Sequence, residues 1–261
     1  MGQNFLIDKN IARRIAGAAD LTEQDNVLEV GPGFGILTQE LVKRAKRVIA
    51  IEKDKILAGQ ILKVQSFKPE LARILKRVQD DTDCGLRIIN ADILKVPEAE
   101  LKKLFNNEPY KIVANLPYNI TSHFLRKFLE MEYQPRQMVL MAQKEVAERI
   151  CAKPGQMSLL SVAVQFFCEP EILFFVSRNS FSPAPEVDGA VIRLNNIRRD
   201  KFDVDAEKFF KTIKKGFQAR RKQLKNNLGL ALSAMAQLGL KQTTRPQELG
   251  MEEWVGLVKT V

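Results

Sequence analysis

Residues 27–35 read Val-Leu-Glu-Val-Gly-Pro-Gly-Phe-Gly, so an apolar, β-forming run passes into a turn that holds three glycines. The residues from Ile36 onward have helical spacing, which makes this a strand–turn–helix unit. Glycine tolerates left-handed backbone conformations and lets a ligand approach the main chain closely. A dinucleotide-binding fingerprint would place its third glycine at Ile36, so the spacing disfavours a pyrophosphate cofactor. The turn predicts a small-molecule site, and a tight turn without a ligand is the alternative interpretation.

Short apolar runs alternate with helical segments along the first three-quarters of the chain. The predicted strands are Val27–Val30, Val48–Ile51, Arg87–Asn90, Lys111–Asn115 and Met138–Met141. The predicted helices are Ile36–Arg44, Ala99–Phe105, Ser122–Leu129 and Glu145–Ile150. This alternation is typical of an α/β fold with a mainly parallel sheet and helices on both faces. Two later runs, Ile172–Val176 and Ala190–Leu194, could pair antiparallel at one end of the sheet.

A change of pattern near residues 196–199 predicts a second, smaller domain. Beyond this point strand signals vanish and apolar residues recur at helical spacing, at Phe209, Phe210, Ile213, Phe217, Leu224 and Leu228. We therefore predict an α/β domain over residues 1–197 and a small all-helical domain over residues 198–261.

Four residues lie at the carboxyl ends of successive predicted strands: Gly31, Glu52, Asp92 and Asn115. In an open parallel sheet the ligand lies outside these ends. Glu52 follows the glycine turn by about 20 residues, the spacing at which a carboxylate accepts hydrogen bonds from ribose hydroxyls. Asp92 is suited to accept a hydrogen bond from an adenine amino group. Taken singly, Glu52 could be a solvated charge and Asp92 a helix cap, but four such residues in line predict a shared site.

The sharpest motif is Asn115-Leu116-Pro117-Tyr118. The exocyclic nitrogen of adenine is a poor nucleophile, because its lone pair is delocalised into the ring. The Asn115 side-chain carbonyl and the Leu116 main-chain carbonyl could accept hydrogen bonds from its two N–H groups. These bonds would localise the lone pair without a strong base. Pro117 stiffens the turn, and Tyr118 offers a flat face for stacking a base. The alternative is a turn with a half-buried tyrosine.

Two further features suit an RNA substrate. Phe181 lies in a loop stiffened by two prolines, Ser180–Pro185, where its ring could stack on an extruded base or could simply anchor the loop in the core. No acid interrupts the basic residues Lys208, Lys211, Lys214, Lys215, Arg220, Arg221, Lys222 and Lys225. Such a run is often a solvated helix face, but the lack of acids favours a phosphate-binding surface.

Composition excludes several classes of protein. The 41 Lys and Arg exceed the 31 Asp and Glu, giving a formal net charge of +10 in 261 residues and favouring a polyanionic partner. Three scattered cysteines and a single histidine, His123, give no support to a disulfide framework, a zinc site or a Ser-His triad. No signal peptide or membrane-spanning run is visible. We expect a cytoplasmic protein without a metal.

Together these motifs resemble the ribosomal RNA adenine N6-dimethyltransferases of the KsgA type. The matching segments, in order, are Gly2–Leu6, Glu29–Gly35, Ile51–Glu52, Ala91–Asp92, Asn115–Tyr118, Ser180–Val187 and Gly216–Leu228. The resemblance covers essentially the whole chain. It implies a Rossmann-like class I methyltransferase fold with a mostly parallel seven-stranded sheet, and S-adenosylmethionine as the cofactor. The implied substrate is a pair of adjacent adenosines in a hairpin near the 3′ end of small-subunit ribosomal RNA, each methylated twice during late subunit assembly.

The resemblance also assigns residues to roles. Cofactor contacts are implied for Gln3, Asn4, Leu6, Gly31, Gly33, Glu52, Lys53, Asp92, Ile93 and Asn115. The target base would be held by Asn115, Leu116, Pro117 and Tyr118, with Phe181 opposite Tyr118. RNA contacts are expected from Lys214, Lys215, Arg220, Arg221, Lys222 and Lys225. We expect a monomer that binds the assembling small subunit and no membrane.

Two departures and three alternatives remain. Relatives usually carry a short basic lead before the first motif, and its RNA contacts are expected to be absent here. The stretch 56–86 is longer than expected and predicts an added surface helix. The alternatives are a non-catalytic ribosomal RNA binder or transcription factor, a resistance-type methyltransferase acting on large-subunit ribosomal RNA, and a small-molecule methyltransferase. The intact Asn115–Tyr118 motif argues against the first, the Ser180–Val187 loop and the basic run against the second, and the basic run against the third.

Overall fold

The computed structural model describes residues 4–61, 85–219 and 222–260. Three residues with predicted roles, Gln3, Arg220 and Arg221, lie outside these ranges. Most of the long 56–86 stretch also lies outside them, and only residues 56–61, in one helix, and residues 85–86, at the start of one strand, are described. The described strands are β1 (Phe5–Leu6), β2 (Asn26–Val30), β3 (Arg47–Glu52), β4 (Gly85–Asn90), β5 (Tyr110–Asn115), β6 (Met138–Gln143), β7 (Glu169–Val176), β8 (Phe181–Ser182) and β9 (Gly189–Asn195).

Seven of the described strands form one sheet in the order β4-β3-β2-β5-β6-β9-β7. The first five are parallel, and β9 pairs antiparallel with β6. Strands β2 and β3 are buried along their whole length, as central parallel strands covered on both faces are. The predicted α/β fold with a mainly parallel sheet is therefore confirmed, and the two late runs are neighbours at one end of it.

Helices connect the parallel strands, and the predicted helices are found close to their expected bounds. The described α-helices are α1 (Lys9–Ala18), α2 (Ile36–Val42), α3 (Lys55–Ile61), α4 (Glu98–Leu104), α5 (Thr121–Glu130), α6 (Lys144–Ile150), α7 (Leu159–Gln165), α8 (Ala206–Gly216), α9 (Leu224–Leu228), α10 (Leu232–Gln237) and α11 (Met251–Thr260). None of the helices in the described ranges is long and apolar enough to cross a membrane.

A two-stranded ribbon joins the start of the chain to the loop after β7. Strand β1 pairs antiparallel with β8, with Phe5 opposite Ser182 and Leu6 opposite Phe181. Leu6 and Phe181 are both buried in the apolar core that packs against the seven-stranded sheet. The sequence analysis did not predict this pairing, because each strand has only two residues and neither has a readable alternation.

Contacts divide the chain into two compact units. One contains Met1–Lys144 and Glu171–Ile197, and the other contains Glu145–Pro170 and Arg198–Val261. One junction coincides with the predicted boundary at residue 197. The assignment of residues 145–170 to the first domain is corrected, because aromatic packing ties this segment to the helical unit. The ring of Phe166 stacks on that of Phe209 with centroids 4.2 Å apart and also packs against Phe167, Phe202 and Phe210.

The helical unit depends on a glycine in α8. A Cβ atom at Gly216 would lie 2.5 Å from Cη2 of Trp254, a fully buried ring that stacks on Phe217. We expect Gly216→Ala to lower the free energy of unfolding by about 1–3 kcal/mol, since a rigid ring in a packed core cannot move aside. Gly17→Ala is the matched control: Gly17 lies in α1 with open space around its Cβ, so this variant should be as stable as wild type or more stable. Denaturant unfolding compares the two, and an unchanged midpoint for Gly216→Ala would contradict the packing.

Candidate active site

The glycine turn between β2 and α2 adopts the conformation that its sequence predicts. Gly31, Gly33 and Gly35 have φ angles of 65°, 56° and 76°, in the left-handed region where other residues are strained. A Cβ atom at Gly31 would lie 3.8 Å from Cδ of Pro117 and 3.9 Å from the main-chain oxygen of Asn115. The turn thus lies directly beside the Asn115–Tyr118 motif, as the strand order requires.

The first described residues pack against this turn. One ring carbon of Phe5 would lie 3.0 Å from a Cβ atom at Gly33, and the Phe5 and Phe34 ring centroids are 4.4 Å apart. Phe34 is about half exposed. The ribbon formed by β1 and β8 therefore brings Asn4 and Leu6 next to the glycine turn, where both are predicted to contact a cofactor.

Glu52 ends β3 and faces the same turn. Its side chain is 3% exposed, with Oε2 accepting a hydrogen bond from the Gly33 main-chain nitrogen at 3.2 Å and Oε1 accepting one from that of Asp54 at 2.9 Å. A solvated charge, the alternative interpretation, does not fit this burial. The carboxylate is held in a fixed orientation and keeps lone pairs for further donors.

Asp92 follows β4 and marks the next strand end. Its Oδ2 forms an ion pair with Nζ of Lys53 at 3.0 Å, and its Oδ1 accepts a hydrogen bond from the Leu94 main-chain nitrogen at 3.1 Å. The hydrogen bond from the Lys53 ammonium, and to a smaller extent that from the Leu94 nitrogen, lowers the pKa of Asp92. The carboxylate therefore stays ionised and can act as an acceptor. Ile93, next in the chain, is buried.

The Asn115–Tyr118 motif lies where β5 leaves the sheet. The Leu116 main-chain nitrogen donates to the Met141 oxygen at 3.1 Å, and the Leu116 side chain is buried, so this turn is fixed to β6. Asn115 is partly exposed, and Tyr118 begins the 3₁₀ turn Tyr118–Ile120. Burial, and then the neighbouring Asp188, raise the pKa of Tyr118, so its hydroxyl remains protonated.

Phe181 lies in a different environment from the one a stacking role needs. Its side chain is 4% exposed and belongs to the apolar core. A ring that stacks on a base must present a face to it, so this burial favours the alternative interpretation, in which Phe181 anchors the loop.

A second buried carboxylate, Glu29, lies within the glycine motif, and the sequence analysis gave it no role. It is 1% exposed, and in the described part of the chain neither of its carboxyl oxygens has a hydrogen-bond partner. The Thr38 hydroxyl lies nearby without meeting hydrogen-bond geometry. Burial raises the pKa of Glu29 to about 8, and the charge of Glu52 adds to the rise. Glu29 is therefore mostly protonated at neutral pH.

This burial makes stability depend on pH. Between the ordinary pKa of 4.5 and the folded value of about 8, the folded chain holds a proton that the unfolded chain has lost. The stability contributed by Glu29 therefore falls as the pH rises through this window, by up to about 1.4 kcal/mol per pH unit. Glu29→Gln should remove that slope, as measured by denaturant unfolding from pH 5 to pH 8. The exposed Glu23→Gln should keep it, and parallel curves for Glu29→Gln and wild type would contradict the assignment.

The predicted basic surface lies on the helical unit. In α8, Phe209, Ile213 and Gly216 are buried, while Lys208, Lys211, Lys214 and Lys215 are exposed. Lys222 is exposed and Lys225 is partly exposed. The four lysines of α8 thus form an outward basic face, and Arg220 and Arg221 lie outside the described residues.

The single histidine and the metal-ligating residue types form no cluster in the described ranges. His123 is exposed on α5. Across the three described ranges, His, Cys, Asp and Glu side chains do not gather in groups of three that could hold a metal ion. The polar groups at the strand ends are a carboxamide, main-chain amides and two carboxylates.

The strand order, the glycine turn and the polar strand ends define a Rossmann-like class I methyltransferase. Over 98% of both chains, the fold is similar to that of the 23S rRNA methyltransferase ErmE, with a TM-score of 0.74 and 27% identity. The family model described as ribosomal RNA adenine dimethylase matches residues 1–259. The chain therefore belongs to the ribosomal RNA adenine dimethylase family and is a methyltransferase.

Two curated relatives carry the same name, ribosomal RNA small subunit methyltransferase A. The one from Dehalococcoides mccartyi is 41% identical over 97% of this chain and 84% of its own length. The one from Clostridioides difficile is 45% identical over 88% of this chain and 75% of its own length. The family resemblance drawn from the motifs is thus confirmed along the chain.

Proposed function

We propose that this protein transfers methyl groups from S-adenosylmethionine to N6 of two adjacent adenosines in a hairpin near the 3′ end of small-subunit ribosomal RNA. The product would be N6,N6-dimethyladenosine, made during maturation of the small subunit. The observation that carries the proposal is the position of Asn115–Tyr118 beside the glycine turn. In a family of ribosomal RNA adenine dimethylases, this position supports a role for the motif as the acceptor of an amino group next to the proposed cofactor site.

The strand ends are suited to S-adenosylmethionine. The glycine turn leaves room where side chains would block a ligand. The buried Glu52 carboxylate can accept hydrogen bonds from ribose hydroxyls. The ionised Asp92 carboxylate can accept a hydrogen bond from the amino group of the cofactor's adenine. When bound, the cofactor supplies a methyl group on a positively charged sulfur. Further contacts are proposed for Gln3, Asn4, Leu6, Gly31, Gly33, Lys53, Ile93 and Asn115.

The chain's own residues would prepare the amino group for attack. The Asn115 side-chain oxygen and the Leu116 main-chain oxygen accept hydrogen bonds from its N–H groups, two in the first transfer and one in the second, and hold the nitrogen lone pair toward the methyl donor. Because the proton can leave after methyl transfer, no strong base is needed. Pro117 fixes the turn, and the Tyr118 ring stacks on the base with its hydroxyl protonated. Phe181 supports the β1–β8 ribbon from the core. A stacking role is the alternative, and loss of RNA methylation with unchanged cofactor affinity in folded Phe181→Ala would reveal it.

The basic face of the helical unit would supply RNA affinity rather than chemistry. Each phosphate neutralised releases counterions, so binding should weaken with salt at a slope of roughly −0.7 to −0.9 per contact. Changing the exposed Lys211, Lys214 and Lys222 to Ala should flatten this slope by up to about three contacts and leave cofactor affinity unchanged. The matched control changes three exposed lysines of the same unit outside the basic run, Lys153, Lys241 and Lys259. Binding to small subunits is measured across a salt series. Equal slopes for the two triple variants would show that the basic run is only a solvated helix face without RNA contacts.

The choice of ribosomal subunit is the sharpest test of the proposed substrate. The 41–45% identity to relatives named for the small subunit, against 27% to ErmE, supports the small subunit. We expect undermethylated small subunits, incubated with the enzyme and labelled S-adenosylmethionine, to take up label while large subunits do not. Label on large subunits alone would instead indicate the resistance-type activity. We also propose that the enzyme acts as a monomer in the cytoplasm.

A further inference from the structure

Lys127, on helix α5, contacts the loop that follows β4. Its Nζ donates hydrogen bonds to the main-chain oxygens of Ile93 at 2.7 Å, Leu94 at 3.2 Å and Val96 at 2.5 Å. An ammonium group has three donors and no acceptor, so these three oxygens use its full capacity. The loop is thus folded around one lysine side chain.

The same loop begins with Asp92. The Asp92 carboxylate accepts a hydrogen bond from the Leu94 nitrogen, and its main-chain oxygen accepts one from the Lys95 nitrogen at 2.8 Å. The side chains on either side of Leu94 and Lys95, those of Ile93 and Val96, are buried. The Asp92 carboxylate is therefore oriented by a turn whose outward-facing oxygens are held by Lys127.

Lys127 is not placed there as an ordinary surface charge. It is partly buried, and burial lowers its pKa, opposed by the nearby charge of Asp92. Its neighbour Arg126 provides the contrast, since that side chain is 71% exposed and pairs with Glu130 within the same helix. Burying an ammonium is unfavourable unless its hydrogen bonds are satisfied, and here the loop oxygens satisfy them.

Helix α5 also connects this loop to the substrate motif. The 3₁₀ turn Tyr118–Ile120 runs directly into α5, which begins at Thr121. Lys127 lies two turns further along the same helix. One rigid element therefore carries the motif proposed to hold the target base at one end and the support of the Asp92 loop near the other.

We infer that Lys127 is a positioning residue for the cofactor. Its ammonium holds the loop 92–96 against α5, so that the Asp92 carboxylate accepts a hydrogen bond from the amino group of the cofactor's adenine. The inference rests on the proposed function, in which Asp92 reads that amino group. It goes further because it attributes the orientation of the Asp92 carboxylate, and so the preference for adenine, to a lysine that need not contact the cofactor.

The test compares two ligands that differ only at the adenine amino group. S-adenosylhomocysteine carries this group, and its purine riboside analogue carries a hydrogen atom in its place. Calorimetry gives both dissociation constants for wild type, Lys127→Met, Lys127→Arg and the matched control Arg126→Met, which removes a positive charge from the adjacent position. We expect wild type and Arg126→Met to prefer the adenosyl ligand by about tenfold or more, as one hydrogen bond to a charged group allows. Lys127→Met should bring this ratio close to one, and Lys127→Arg should give an intermediate value.

The ratio separates positioning from mere loss of stability, since a partly unfolded protein binds both ligands less well without losing its preference. A full preference in folded Lys127→Met would overturn the inference and leave the role of Asp92 intact. No preference in wild type would overturn the role of Asp92, and the inference with it. If Lys127→Met does not fold, the ratio in Lys127→Arg decides, because its planar group cannot reproduce three converging ammonium bonds. A wild-type ratio in that variant would then count against the inference.

Discussion

Asn115→Ala should reduce methyl transfer by about 10²–10³-fold while the protein stays folded. This is the usual effect of removing one well-placed polar group from a catalytic site. Asn115 lies at the carboxyl end of β5, with its main chain beside the glycine turn, and its side chain is one of the two acceptors proposed for the adenine amino group. Without it the nitrogen lone pair stays delocalised into the ring. The measurement is single-turnover methylation of undermethylated small subunits at saturating cofactor, so that a change in cofactor affinity does not enter.

The matched control for this variant is Asn119→Ala. Asn119 lies four residues further along, is exposed and has no proposed contact with the base. It should keep nearly the full rate. Equal rates for Asn115→Ala and Asn119→Ala, with both proteins folded, would rule out the proposed activation of the amino group.

Glu52→Ala should weaken S-adenosylmethionine binding by about 10–100-fold. The variant loses the proposed acceptor for the ribose hydroxyls, and it also leaves the main-chain nitrogens of Gly33 and Asp54 without their partner. Stranded polar groups of this kind cost about 1–3 kcal/mol, and Gly33 belongs to the turn that faces the cofactor. Calorimetry with the cofactor alone measures the effect without RNA.

Two further variants interpret that result. Glu52→Gln keeps the length of the side chain and one acceptor oxygen, so it should fall between wild type and Glu52→Ala. Glu23→Ala, which removes an exposed carboxylate from the same unit, should bind like wild type. An unchanged dissociation constant in folded Glu52→Ala would remove Glu52 from the cofactor site.

The strands, their mainly parallel arrangement and the strand-end residues were largely predictable from the sequence. The run Val27–Val30 is continuously apolar but for Glu29, which is typical of a central parallel strand, and the glycines that follow have few uses other than a turn. Once the strands are parallel, their carboxyl ends must share one edge of the sheet. Gly31, Glu52, Asp92 and Asn115 therefore had to lie on the same side.

Features that depend on long-range packing were not predictable in this way. Phe5–Leu6 pairs with Phe181–Ser182 through only two residues on each strand, too few to show a pattern. Residues 145–170 read as part of the α/β domain, but stacking of Phe166 on Phe209 places them with the helical unit. Burial is also not visible in the sequence. It raises the pKa of Glu29, and it distinguishes Phe181, a core residue, from an exposed stacking ring.

Lys127 illustrates the same limit within the candidate site. In the sequence it is one more basic residue on an amphipathic helix, next to Arg126 and indistinguishable from it. Only the fold brings its ammonium to three carbonyl oxygens of a loop more than thirty residues earlier in the chain. The sequence does not show that Lys127, unlike Arg126, is partly buried.

The most direct test of the central claim is to identify the methylated nucleotides. Undermethylated small subunits are incubated with the enzyme and labelled S-adenosylmethionine, the ribosomal RNA is digested, and the labelled fragments and nucleosides are identified by mass. We predict N6,N6-dimethyladenosine at two adjacent positions in a hairpin near the 3′ end, with about 10²–10³-fold slower formation by Asn115→Ala. Methylation confined to another site, to another atom of the base, or absent from RNA altogether would contradict it.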